Sequence, residues 1–363
     1  MNYTEYIEWL DANLKSQTVI TEKDCVFNDV TENPFDLYGF CDPKKNGFVR
    51  VPPDTAKELG AGMEFFGKNT AGGRVRFSTN SKYVALKVVM PEMHLRNMSF
   101  SGSAGFDLFI DGKKGGKFYK IFIPPFGFKD EWREIIYFPN AKQRYLTINF
   151  PLYSIVEKVG IGIQKSATLG HGKEYSRKTP IVFYGGSHVQ GASATKPGNA
   201  ASHLIGRYFD SDFINLGFSG NALGERRMAE YIAGLNASLL IMEYDHNAPS
   251  AEYLEKTHYP FYETVRKANP DLPIVMVSKH DFYTCSYYVK TQSENVARRA
   301  AVIRSYERAK KNGDKRVYFL DGKNLLSGDY REDCTVDGTH PNDLGFYRIA
   351  KKYIDFIKKN HLI

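Results

Sequence analysis

The sequence predicts two folds in series: an antiparallel β-sandwich of the jelly-roll kind, then a three-layer α/β/α domain built on a parallel sheet. Three observations carry this. From about Phe35 to Gly160, short alternating runs are broken by Gly, Pro, Asn and Asp at a spacing of roughly 8–12 residues. From Ile181 onward, apolar runs alternate with segments of helical period, as repeated βαβ units do. Between them, residues 164–180 lack apolar periodicity and read as a linker. The expected domains are 1–170, a sandwich preceded by a short helix, and 178–363.

Composition narrows the function classes. Of the 363 residues, 25% are charged and 42% hydrophobic, as in globular domains. The net charge of +8 would suit nucleic acid, but the lysines are spread along the chain and Asp plus Glu still number 41. The densest basic stretch, Lys351–Lys359, has helical spacing with Tyr353, Ile354, Phe356 and Ile357 turned inward, which is a solvated helix face. No nucleic-acid partner is expected. No apolar run approaches the roughly 20 residues that span a bilayer, so no membrane partner is expected either. Met1–Leu10 lacks the basic and apolar regions of a secretion signal, and the expected location is the cytoplasm. Cys25, Cys41, Cys285 and Cys334 are far apart, form no C-x-x-C pair, and read as reduced thiols.

In chain order, Tyr6, Ile7, Leu10 and Leu14 share one helix face and predict a packing or capping element. Strands are expected at 73–79, 83–90, 105–111 and 145–150, with a hairpin turn at Asp111-Gly112. His171, between two glycines, reads as a surface loop residue. In the second half, strands are expected at 181–185, 212–217, 238–243, 273–278 and 316–320, and helices near 198–209, 224–234, 250–268, 292–311 and 343–359. Ligands of such sheets bind at the carboxyl ends of the strands.

Chemistry-bearing residues collect at those ends. Gly185-Gly186 allows a tight turn that lifts Ser187 off the first strand. A serine hydroxyl needs a base, and Asp337-Gly-Thr-His340 offers one: in a tight turn the carboxylate reaches the imidazole Nδ1–H and leaves Nε2 for the nucleophile. The same tetrad also reads as an Asp-Gly turn with a capping His, with Pro341 opening the last helix. In Asn215–Asn221 a glycine N–H is free to donate to an oxyanion, or the stretch is an ordinary βα turn. Asn247 adds a side-chain donor, or caps a helix ahead of Pro249.

Together these loops resemble the SGNH, or GDSL-type, hydrolases. The matching blocks are Gly185-Gly186-Ser187, Phe218-Ser219-Gly220-Asn221, Asp245-His246-Asn247 and Asp337 to His340. Gly105-Phe-Asp-Leu-Phe109 is similar to the GxDLY motif of the sandwich that precedes one bacterial branch, and 69–77 and 335–345 also look typical of it. The resemblance implies a flavodoxin-like SGNH domain in which Ser187 is the nucleophile, His340 the base and then the acid, and Asp337 its orienter. It also implies oxyanion donors from the N–H groups of Ser187 and Gly220 and the Asn247 side chain. Gly186 stands where the GDS signature has Asp, and Phe109 where GxDLY has Tyr, which removes a hydroxyl.

The expected activity is a serine ester hydrolase with an acyl-enzyme, removing O-acetyl groups from an oligosaccharide or glycoside. A short-chain acyl esterase or thioesterase, and a carbohydrate-binding protein with a silent hydrolase domain, are the competing readings. His188, Asp245, His246 and Tyr283 are the candidate substrate contacts. No cofactor is expected. Asp245, His246, His258, His280 and Asp281 have the spacing of no standard metal site, so no metal is expected. The expected partner is a small-molecule or oligosaccharide ester, and a homo-oligomer is allowed.

Overall fold

The computed structural model describes residues 3–11, 14, 18–113, 115–280 and 289–363. Two antiparallel sheets form the first half. One is ordered β1 (Cys25–Asp29), β9 (Lys158–Gln164), β4 (Tyr83–Val89), β7 (Glu131–Tyr137). The other is ordered β10 (Leu169–His171), β3 (Arg74–Thr79), β8 (Arg144–Asn149), β5 (Phe106–Gly112), β6 (Gly115–Phe122), with β2 (Asp36–Tyr38) also on β3. The period-two pattern sends alternate residues into one shared core: Val75, Phe77, Leu108 and Ile148 from the second sheet meet Leu86, Val88, Trp132 and Ile161 from the first. Asp111-Gly112 ends the hairpin strand as its sequence implies.

The outer face of the second sheet is polar yet buried. Arg74 and Arg76 are both under 3% exposed. The Arg74 guanidinium pairs with Asp212 and lies 3.8 Å from the centroid of the Phe213 ring, while Arg76 reaches Asp111 Oδ2 at 3.1 Å. Asp107 accepts from Asn149 Nδ2 at 2.8 Å and from the Gly198 N–H at 2.7 Å. Phe109 packs under the Arg207 guanidinium, 4.5 Å from the ring centroid. The Gly-x-Asp-Leu-Phe stretch is thus a joint between the two halves, and at Phe109 the ring face meets the second half, a contact that needs no hydroxyl.

The second half carries a five-stranded parallel sheet: β12 (Ser211–Gly217), β11 (Arg177–Gly185), β13 (Leu239–Glu243), β14 (Ile274–Val277), β15 (Val317–Leu320), in that spatial order. Sequential numbering from β11 makes this the 2-1-3-4-5 order of flavodoxin-like sheets. Its continuous apolar runs are buried on both faces. Val182, Tyr184, Leu240 and Met242 face helices 226–233, 251–268 and 289–311. Ile181, Phe183, Ile241 and Val275 face helices 201–209 and 343–359. Among the described residues no helix is long and apolar enough to cross a membrane.

Several expectations change. The linker contains strand β10, paired with β3, and β11 begins at Arg177. His171 is in β10, where its Nδ1 lies 3.0 Å from Asp36 Oδ1. The first helix, Tyr3–Leu10, does not bury its apolar stripe: Tyr6, Ile7, Leu10 and Leu14 are all exposed. Pro341 stands one residue ahead of Asn342, which caps the last helix by accepting from the Gly345 N–H at 3.1 Å. The cap ahead of helix 251–268 is Ser250, not Asn247. Cys25, Cys41 and Cys334 form no disulfide with one another; Cys285 lies outside the described residues.

Candidate active site

Strand β11 ends at Gly185, and Ser187 opens the short helix Ser187–Gln190. Both glycines are sterically required. A Cβ on Gly185 would stand 2.2 Å from the Glu243 carbonyl oxygen, and one on Gly186 within 2.8 Å of three side-chain atoms of Asn247. The Asn247 amide therefore occupies the space that a side chain at position 186 would take. Gly191, with φ +112°, closes the turn as its N–H donates to the Ser187 carbonyl at 3.0 Å.

Ser187 Oγ lies 2.9 Å from His340 Nε2, and His340 Nδ1 lies 2.7 Å from Asp337 Oδ2. The Asp337–His340 turn makes this alignment local. Asp337 Oδ1 accepts the N–H groups of Thr339 at 3.0 Å and His340 at 2.8 Å, while Gly338 takes φ +78° between them. Burial alone would raise the Asp337 carboxyl. The His340 N–H, the His340 ring and the Asn97 amide outweigh it and hold the group down at about 2. Asp337 is therefore an acceptor-only carboxylate throughout neutral pH, which selects the tautomer of His340 with Nδ1 protonated and Nε2 open to Ser187.

Asn97 was not foreseen. Its Nδ2 donates to Asp337 Oδ2 at 3.1 Å and stands 3.2 Å from His340 Nδ1, and its own carbonyl accepts from Ser193 Oγ at 2.7 Å. The first half thus reaches into the Ser187–His340–Asp337 line.

The glycine loop after β12 is folded back on the serine loop. Phe218 N–H donates to the Gly185 carbonyl at 2.8 Å, and Asn221 N–H to the Phe218 carbonyl at 3.0 Å. Gly220, at φ +67°, faces open space, and neither its N–H nor that of Ser187 has a hydrogen-bond partner among the described residues. Asn247 Nδ2 donates one hydrogen to the Phe218 carbonyl at 3.2 Å, and its second has no partner among the described residues.

Two buried side chains hold these loops and gave no sequence signal. Gln190 accepts from Ser219 N–H at 3.0 Å and donates to Asn69 Oδ1 at 3.0 Å and the Leu152 carbonyl at 3.1 Å. Arg50, 1% exposed, donates to the carbonyls of Asn69, Phe66, Asn215 and Gly217 and stacks over Phe218. Burial lowers its affinity for a proton to about 9, the Tyr153 phenol partly opposing, so the group stays cationic near neutrality with carbonyl dipoles as its only counter-charge at these contacts.

The expected substrate contacts fare differently. His188 is buried and turned inward, with Nε2 2.9 Å from Glu243 Oε1. Asp245 is 1% exposed and accepts the Lys279 N–H at 2.8 Å, so it shapes the loop instead of facing a ligand. His246 lies beside it, with Nδ1 3.4 Å from Asp245 Oδ1 and only 11% of the side chain exposed. Tyr283 and Asp281 lie outside the described residues. His258 stacks on Tyr244, 5.4 Å between centroids, within the core.

Comparison with known proteins agrees with this fold. A model of the GDSL-like lipase/acylhydrolase family matches residues 178–358, and a model of the GxDLY N-terminus of SGNH-hydrolase-type esterases matches residues 25–169. Among solved structures, the chain is similar to one described as a GDSL-like lipase from Bacteroides ovatus ATCC 8483, with 29% identity and a TM-score of 0.85 over 92% of this chain and 97% of that one. It shares its fold with the salicylyl-acyltransferase SsfX3 of a tetracycline biosynthetic pathway, at 18% identity and a TM-score of 0.76 over 94% and 99% of the two chains. It also shares it with a family two carbohydrate esterase from Clostridium thermocellum, at 13% identity and a TM-score of 0.57 over 81% and 94%. No curated protein matches the chain.

Proposed function

Because the chain belongs to the GDSL-like lipase/acylhydrolase family, with the GxDLY N-terminus of SGNH-type esterases ahead of its hydrolase half, we propose that it is a serine ester hydrolase acting through an acyl-enzyme on Ser187. The observation that carries this reading is the hydrogen-bonded line from Ser187 Oγ through His340 to Asp337, at 2.9 and 2.7 Å, beside N–H groups of Ser187 and Gly220 that have no partner among the described residues.

The Ser187 hydroxyl attacks the ester carbonyl carbon while its proton passes to His340 Nε2. The carbonyl oxygen becomes an alkoxide that accepts from the N–H groups of Ser187 and Gly220 and from the second Asn247 hydrogen. Collapse expels the alcohol, which takes the proton from His340. Water then gives a proton to His340, attacks the acyl carbon, and the acid leaves as Ser187 regains its proton. Asp337 stays ionised throughout and stabilises the imidazolium.

For the substrate we propose an O-acetylated oligosaccharide or glycoside. The shared fold with carbohydrate esterases supports this reading, and so does a surface feature of the first half in which His94 and Phe100, on either side of Asn97 in the chain, meet Phe126 of the loop between β6 and β7. The rings of His94, Phe100 and Phe126 stack in sequence at 4.7 and 5.0 Å between centroids, tilted by about 20°, and Phe126 is 70% exposed. An exposed, flat apolar face of this kind suits the C–H face of a sugar ring. Acetate release across a panel of acetylated sugars tests the class. Hydrolysis of aryl acetates with no release from any acetylated sugar rejects the sugar and keeps the esterase. Fluorophosphonate labelling that survives Ser187→Ala rejects the nucleophile.

A further inference from the structure

Behind the nucleophile, three buried side chains from three strand ends converge. His188 follows Ser187, Glu243 ends β13 opposite Gly185, and His280 follows β14. All three are at most 4% exposed. His188 Nε2 lies 2.9 Å and His280 Nδ1 3.5 Å from Glu243 Oε1, and one donor atom from each residue lies within 4.8 Å of the others. None of these contacts is aligned as a hydrogen bond: among the described residues His188 Nε2, His280 Nδ1 and Glu243 Oε1 have no hydrogen-bond partner. Buried polar atoms left so are costly, and a cluster of them calls for an explanation.

The surrounding groups say which species is missing. His280 Nε2 stands 3.1 Å from the Thr339 carbonyl, which can only accept, so that nitrogen carries the proton and Nδ1 turns a lone pair toward Glu243. Tyr353 donates its hydroxyl to the other carboxylate oxygen, Oε2. A lone pair of His280 and a carboxylate oxygen thus face one point, and His188 Nε2 adjoins it while His188 Nδ1 has no partner among the described residues, so a cation held by all three atoms would satisfy them together. We propose that His188 Nε2, His280 Nδ1 and Glu243 Oε1 bind one divalent transition-metal ion of the zinc type. Two ligands about 2.05 Å from zinc stand about 2.9 Å apart at a right angle and about 3.4 Å apart at the tetrahedral angle; the His188–Glu243 separation of 2.9 Å falls in that range and the His280–Glu243 separation of 3.5 Å lies just beyond it. Two imidazoles and a carboxylate are a common zinc donor set, and outer hydrogen bonds such as those of Thr339 and Tyr353 orient ligands in metal sites.

The ion would be structural. It ties the serine loop to the ends of β13 and β14 and, through His280 and the Thr339 carbonyl, to the turn that carries His340. Ser187 Oγ is not among its ligands, so this inference stands or falls separately from the ester hydrolase.

The test uses the full chain without a histidine tag. After dialysis against dipicolinate, titration with Co2+ should give one equivalent bound per chain, visible d–d absorption and a higher melting temperature. Ser187→Ala should bind equally, and Glu243→Gln and His280→Gln should not. X-ray absorption of the bound Co2+ in the wild-type protein should count two imidazole ligands, which decides the matter even if a variant fails to fold. Folded wild-type protein that takes up no metal would mean that a proton supplies the positive charge, and the proposal fails. Binding that survives His280→Gln, or a site without imidazole, also overturns it.

Discussion

Asn97 Nδ2 lies 3.1 Å from Asp337 Oδ2, joining the first half of the chain to the carboxylate that orients His340. That carboxylate is partly exposed, so a second donor fixes its rotamer as well as its charge. Asn97→Ala should lower kcat by roughly 3- to 30-fold with little change in KM, because it loosens the line without touching substrate. Asn97→Asp places a second negative charge beside His340, which favours the imidazolium. The acid limb of kcat/KM should move to higher pH, a shift that a loss of packing alone would not produce.

Asp337 itself should be tested by Asp337→Asn. The amide can present an N–H to Nδ1 and select the wrong tautomer, so kcat should fall on the order of 10²–10⁴-fold while the fold persists. In the wild type its carboxyl is depressed below the ordinary 3.8 to about 2. The stability it contributes is therefore present above pH 3.8 and lost only as pH falls toward 2. Acid denaturation monitored on Asp337→Asn should show less dependence on pH across that window.

Gly186 and Asn247 should act as a pair. Gly186→Ala pushes its methyl into the Asn247 amide and displaces the side chain proposed as an oxyanion donor, for an expected kcat loss of roughly 10- to 10³-fold. Adding Asn247→Ala should then cost little more. A double-mutant cycle with full additivity would show that the clash is relieved elsewhere.

Glu134 predicts a stability change far from the site. Burial pushes its carboxyl up from 4.5 to about 7, with the Ile123 N–H, donating to Oε2 at 2.7 Å, and Lys120 as partial offsets. A raised folded value favours folding below pH 4.5, and that contribution is lost as pH rises through about 7. Between pH 5 and 8.5 the wild type should lose about 1–3 kcal/mol through this group, measured by urea unfolding, while Glu134→Gln, which keeps an acceptor oxygen, should lose less.

Arg50→Met should destabilise the chain by roughly 2–4 kcal/mol, since the carbonyls of Phe66, Asn69, Asn215 and Gly217 would each lose a charged donor in a dry site. Activity should fall with it, because Asn215 and Gly217 lead into the Gly220 loop.

What could be read from sequence follows the range of the interactions. The parallel sheet was legible because runs such as Ile181-Val-Phe-Tyr184 are buried on both faces and are separated by amphipathic helices. Asp337 and His340 were legible because their hydrogen bond closes within one turn. Asn97, Arg50 and Gln190 were not, since each acquires its meaning from partners distant along the chain, and a lone polar residue in a loop carries no period. Glu243 is in sequence only the last residue of the strand expected at 238–243, and the register placing it opposite Gly185 shows what it faces. The first helix shows the opposite failure: its apolar stripe promised packing, but Tyr6, Ile7 and Leu10 remain exposed.

The joint made by Asp107, Phe109, Arg74 and Arg50 bears on how such enzymes can be recombined. A hydrolase half grafted behind another family member's sandwich would keep Ser187, Asp337 and His340 but lose the amide from Asn97 and the clasp of Arg50 on β12. Chimeras cut at the boundary should therefore be weaker catalysts than either parent. Restoring activity would mean transplanting the seam residues of the sandwich along with the triad, so the unit of inheritance is the interface and not the domain.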